Sequence, residues 1–112
     1  MNTKFKTNIR GEYEGETTFP LGNATPTRKM ELRLNTHKTS GRRLVTMATA
    51  VEPTAYGFSF VVFEDFNKVV LNTSPSRITK KLIEAQHAEA LTHIDDIILA
   101  AQMHYDIEPA LA

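Results

Sequence analysis

RKMELRLNTHKTSGRRLVTMATAVE, residues 28–52, is the stretch on which the fold turns. Met30, Leu32 and Leu34 alternate with Lys29, Glu31 and Arg33, the period of two expected of a strand with one buried face and one wetted face. Residues 35–41 are polar and end in Gly41, and Arg43, Val45, Met47 and Val51 then alternate again. The spacing predicts a β-hairpin over 28–52, limited by Pro53.

Downstream, YGFSFVVFEDF at 56–66 is the most apolar run of the chain and is rich in aromatic and β-branched residues, which predicts a central strand. Asp65, Phe66, Asn67 and Lys68 fit a tight turn, and Val69, Val70 and Leu71 fit the next strand. Upstream, residues 1–27 mix Gly11, Gly15, Gly22, Pro20 and Pro26 with short alternating pieces, the mark of an arm or of one or two brief edge strands. Such short connections favour an antiparallel meander of about four or more strands.

A helix follows. Ser74 suits its N-cap and Pro75 its first position, where a missing N–H costs nothing. Ile78, Leu82, Ala85, Ala88, Leu91, Ile94, Ile98, Ala101 and Tyr105 recur in steps of three and four, and Pro109 stops the pattern. The expected class is therefore α+β, a β-meander followed by a long C-terminal amphipathic helix. It forms one domain over 1–112, with an arm at 1–27, a sheet at 28–73 and a helix at 74–106. An unbroken helix over 75–105 would run roughly 46 Å, too long for a sheet of this size. Either it breaks near 92–96 or its distal half packs on another chain, and the small residues of the stripe favour a homo-oligomer, most simply a symmetric dimer.

At 112 residues, with 41% hydrophobic and 23% charged residues, the chain has the length and composition of one globular domain. The absence of Cys excludes disulfides, thiolate metal sites and thiol nucleophiles. No segment approaches the roughly 20 apolar residues of a membrane span, so the expectation is a cytoplasmic protein with no membrane partner. Asn23 and Asn72 head sequons that then carry no glycan. The net charge of zero conceals a separation. Residues 1–81 hold all 13 Lys and Arg against seven acids, a net of +6, whereas 82–112 hold six acids and no Lys or Arg.

No metalloprotease, nucleophile-elbow, P-loop or dinucleotide motif is present. Glu84 and His87 have the spacing of a di-iron ligand pair, but no second pair exists. Glu89, His93 and Asp96 share a helical face that reads as solvated. Ser74, Ser76, His87 and Asp95 point different ways around one helix. No catalytic residue, metal or cofactor is expected.

The basic positions say more. Arg28, Lys29, Arg33, Lys38, Arg42 and Arg43 crowd the hairpin, where cations also protect a sheet from unwanted pairing. Arg77, Lys80 and Lys81 load the helix start, although its unpaired N–H groups already favour anions there. Either the cations are tolerated, because Lys80 and Lys81 lie in the second turn where the effect fades or because Glu84 pairs with Lys80 at i, i+4, or an anion sits there. Backbone N–H groups, Arg77, Lys80, Lys81, Asn72 and Ser76 together predict a phosphate site, with Phe66 or Phe63 of the preceding hairpin able to stack a base.

With its Cys-free chain, sheet-then-helix order and NTSPSRITKK at the junction (residues 72–81), the sequence resembles small accessory proteins of bacteriophages. Among them it is similar over 28–105 to the Thoeris anti-defense sponge family. That resemblance implies an oligomer that sequesters a cyclic nucleotide immune signal without cleaving it, as a phage counter-defence protein. A protein-binding inhibitor of a host nuclease or defence complex is the alternative partner reading, and nucleic-acid binding through 28–43 ranks third.

Overall fold

The computed structural model describes residues 2–25, 28–53 and 60–107. Five strands, β1 (Asn2–Thr7), β2 (Tyr13–Thr25), β3 (Arg28–Lys38), β4 (Leu44–Pro53) and β5 (Phe60–Thr73), form one antiparallel sheet in the order β1-β2-β3-β4-β5. Two helices, α1 (Lys80–Leu91) and α2 (Ile94–His104), follow. The α+β class and the meander hold. The first residues are no loose arm, since β1 is a short edge strand and β2 an interior strand of 13 residues.

The hairpin read from the sequence is the β3–β4 pair, in which Leu34 faces Ala48 and Leu32 faces Ala50. Its turn is shorter than expected, because Asn35 and His37 pair with Met47 and Val45 and so belong to β3. Arg42 closes the turn with φ +59°. The turn expected at 65–68 does not form. β5 runs on from Phe60 to Thr73 at the sheet edge and absorbs the polar residues in register shifts between Thr49 and Ala50 and between Thr46 and Met47. Residues 56–59 of the apolar run, the Phe63 side chain and Pro109 lie outside the described residues.

The single long helix is corrected too. Thr79, not Ser74, caps α1, its Oγ1 accepting from Leu82 N at 3.2 Å. α1 is 12 residues, about 18 Å, close to the roughly 19 Å that five strands span at about 4.8 Å spacing. Its end comes at Thr92, whose Oγ1 donates to Glu89 O at 2.6 Å. α2 ends at His104, and beyond it Asp106 turns left-handed (φ +52°) while Ile107 N donates to Gln102 O at 2.8 Å, a left-handed cap that precedes Pro109 in the sequence.

Both helices lie on one face of the sheet. Phe19, Leu21, Met30, Leu32, Leu34, Ala48 and Ala50 meet Phe66, Ala90, Ile97, Ala101 and Ile107 there. Small Ala48 and Ala50 admit the helices closely, while the larger Val45, Met47 and Val51 point to the opposite face. The predicted stripe fits α2, where Ala101 is buried and Ile94, Ile98 and Tyr105 pack half-buried on the core, although it overlooked the buried Ile97, but it misses α1. That helix buries Ile83, Gln86, His87 and Ala90 and leaves Leu82, Ala85 and Ala88 exposed. The break at residues 92–93 frees the two helices to rotate separately.

Candidate functional site

The two faces of the sheet each carry a polar constellation. Under α1 a chain of hydrogen bonds crosses all five strands. His87 is fully buried, with Nε2 2.7 Å from Thr17 Oγ1 and Nδ1 2.8 Å from Thr36 Oγ1. Thr17 continues to Thr3 at 2.8 Å and Thr36 to Thr46 at 2.7 Å. Gln86 donates to Leu44 O at 2.9 Å and to Thr46 Oγ1 at 3.3 Å, and its Oε1 accepts from Thr73 at 2.6 Å. One ordering of protons satisfies the whole chain. Gln86 donates to Thr46, Thr46 to Thr36, Thr36 to Nδ1, Nε2–H to Thr17, and Thr17 to Thr3. Protonating Nδ1 would reverse Thr36 and leave the Thr46 hydroxyl hydrogen without an acceptor in the chain. Burial accordingly lowers the His87 pKa, and the Glu16 carboxylate offsets only part of that effect. Phe5 closes the network from solvent, its ring edge-on to His87 at 5.7 Å and lying over Gly15, where a Cβ would come within 2.5 Å of the ring. Nothing reaches His87 from outside, so it holds the fold together.

The other face is uncovered by either helix and contains a groove of about 440 Å³. Register places its floor. Glu16, Asn35, Met47 and Val69 form one row across β2 to β5, and Thr18, Arg33, Thr49 and Asn67 form the next. The β1–β2 turn supplies one wall. Asn8 Oδ1 accepts from Arg10 N and Glu12 N at 2.9 and 3.0 Å, and Gly11 (φ +80°) completes the bend. This presents Asn8, Arg10 and Glu12 to the groove, with Lys6 and Lys38 alongside.

Side chains on the floor are ordered by one another. His37 Nδ1 lies 2.8 Å from Asn35 Oδ1, an acceptor, so Nδ1 carries the proton and Nε2 keeps a lone pair. Asn35 Nδ2 donates to Glu16 Oε1 at 3.3 Å, and that oxygen is 3.6 Å from Arg33 Nε. Burial lowers the His37 pKa, while Glu14 and Glu12 raise it and Arg10 and Arg33 lower it. Arg33 is the exceptional member. Its Nε is buried, and no acceptor stands within hydrogen-bonding distance among the described residues, since 3.6 Å is too long. Native structures seldom leave such a donor unused.

The residues predicted at the helix start are dispersed. Arg77 and Ser76 lie in the bend before α1, and Arg77 and Lys81 are exposed. Lys80 sits over the Tyr13 ring at 5.2 Å, and Asn72 Oδ1 accepts from Arg43 Nε at 2.9 Å. Phe66 is buried against His104 and Tyr105 at the far end of α2, so no base can stack on it beside Arg77. Ser76 and Pro75 share a smaller cleft with Lys38 and Arg42, of about 240 Å³. Of the Glu84–His87 pair, Glu84 accepts from the Tyr13 hydroxyl and His87 is sealed. No metal-holding cluster occurs among the described residues. Of the groove residues, only those on β3 and β4, such as Arg33 and Met47, belong to the hairpin read from the sequence. Their meeting with the β1–β2 turn depends on strand pairing.

No family model, no curated protein and no solved structure matches the chain. No helix among the described residues is long and apolar enough to cross a membrane.

Proposed function

We propose that the protein is a non-enzymatic binding protein that holds a small phosphorylated molecule of nucleotide size in the groove of the uncovered sheet face. One observation carries this reading, the buried Arg33 Nε with its donor unused in a groove also lined by Lys6, Arg10 and Lys38. A phosphate oxygen supplies the acceptor that a guanidinium in this setting calls for. Glu12, Glu14 and Glu16, with Asn8, Asn35 and Asn67, offer acceptors and donors to the amino and carbonyl groups of a base. A volume near 440 Å³ lies within the usual range for small-ligand sites.

A nucleic-acid polymer fits less well. Three carboxylates among four cations leave a weak field for a polyanion, and among the described residues the groove lining includes no Phe or Tyr on which bases could stack. The phage counter-defence role, sequestration of a cyclic nucleotide signal, rests on the family resemblance rather than on the groove.

The test is calorimetric titration of a panel of mono-, di- and cyclic nucleotides into the wild type, Arg33→Glu and Arg77→Glu, with recovery of each ligand afterwards. Binding lost in Arg33→Glu and kept in Arg77→Glu, with the ligand returned unchanged, is the expected result. Loss in Arg77→Glu alone would return the site to the helix start, and silence across the panel would sink the reading.

A further inference from the structure

α1 buries two polar side chains, Gln86 and His87, beside Ile83 and Ala90, and turns the apolar Leu82 and Ala85 out among Lys81, Glu84 and Glu89. Leu82 is 40% exposed. It borders an apolar groove of about 540 Å³ between α1 and the edge of β5, lined by Leu44, Leu71, Pro75, Leu82, Ala85 and Glu89 among others. An exposed apolar wall beside a buried polar one marks a surface that something covers.

We propose that this surface pairs two copies of the chain, α1 lying antiparallel to α1 of a second copy about a two-fold axis at Ala85. Leu82 of each copy enters the other's groove, and Lys81 faces the second copy's Glu89. Charge and spacing choose this occupant. Lys81 and Glu89 each stand four residues from Ala85, one turn to either side on the same face, so an antiparallel pair centred on Ala85 sets them opposite each other twice. Both are exposed, and neither side chain makes an ion pair among the described residues. Their neighbours are occupied differently, Lys80 over Tyr13 and Glu84 accepting from the Tyr13 hydroxyl. Small Ala85 and Ala88 let the backbones approach.

The partition of charge along the chain adds to this. Cations end at Lys81 and only acids follow, so antiparallel pairing brings the basic start of each helical layer to the acidic remainder of the other. It also accounts for cations kept at the end of α1 where the helix dipole opposes them. Addition of a foreign strand to β5 is the weaker use of this side, because β5 carries two register shifts and the exposed Lys68 at its edge. The inference is independent of the ligand reading, whose groove lies on the opposite face.

Light scattering coupled to gel filtration, with sedimentation over about 5 to 200 µM, tests it. Expected are a wild-type mass twice 12.6 kDa and a dimer weakened about tenfold or more in Lys81→Glu and in Glu89→Lys. The double variant, which restores opposite charges, should recover the dimer. Unchanged far-UV circular dichroism will show that these exposed substitutions leave the fold intact. A wild-type monomer throughout, a dimer indifferent to both single reversals, or a double variant as dissociated as either single would overturn the proposal.

Discussion

Each face of this sheet has a histidine within its polar network, and the contrast between the two separates structure from recognition. His87 reaches the covered face from α1 with both ring nitrogens bonded to threonine hydroxyls, and every step of its chain can be satisfied. On the uncovered face His37 is held through Nδ1 by Asn35, beside a guanidinium nitrogen that nothing in the described chain satisfies. A closed network resists water and fixes a geometry, whereas an open one leaves valences to be met by something else. The same residue type on two faces of one sheet thus does opposite work.

The largest expected effect comes from cutting the closed side. His87→Ala should destabilise the fold by about 3 kcal/mol, combining a cavity with stranded hydroxyls. Chemical denaturation will measure it, and a loss under about 1 kcal/mol would mean that the network is not the brace described. Thr36→Val keeps the shape but severs His87 from Thr46 and should cost about 1–2 kcal/mol. Gly15→Ala pushes the Phe5 ring off its seat, and because that ring is partly exposed and can swing, the cost should be about 1 kcal/mol.

The open side should behave in reverse. Arg33→Met removes a buried donor with no hydrogen-bond partner among the described residues and only a 3.6 Å ion pair to Glu16, so stability should stay within about 0.5 kcal/mol or rise slightly, while nucleotide binding is lost. A marked destabilisation would show that Arg33 serves the fold.

Acidity probes both faces. The folded pKa of His87 lies below the ordinary value near 6.5, so the unfolded chain binds the proton more readily. The stability it contributes is full above about pH 6.5 and is lost as pH falls toward the folded value. Melting temperature should therefore drop between about pH 7 and pH 5, and the drop should persist in His37→Gln, where His87 still supplies it. A flat profile in that variant would break the comparison.

Much of the fold was legible. Alternation at Met30, Leu32 and Leu34 marked β3, because burying one face of a strand leaves a period of two that no other element imitates. The helical period marked the C-terminal segment as well. It failed at α1, where Gln86 and His87 look like surface residues and become core residues only because Thr17, Thr36 and Thr46 lie beneath them from three strands. Phe66 misled in the opposite direction. Its place near the junction predicted a platform beside Arg77, but the continuous β5 carries it to the far end of α2.

The sequence by itself determined the class of elements and their order, since periodicity and capping act over a few neighbouring residues. Tertiary structure alone decided which face of each element is buried, where α1 ends against α2, and that Arg10, Arg33 and His37 share one groove. Those outcomes depend on strand register between residues far apart in the chain. A shift of one residue would turn Arg33 and His37 to the helix side and Leu34 to the solvent.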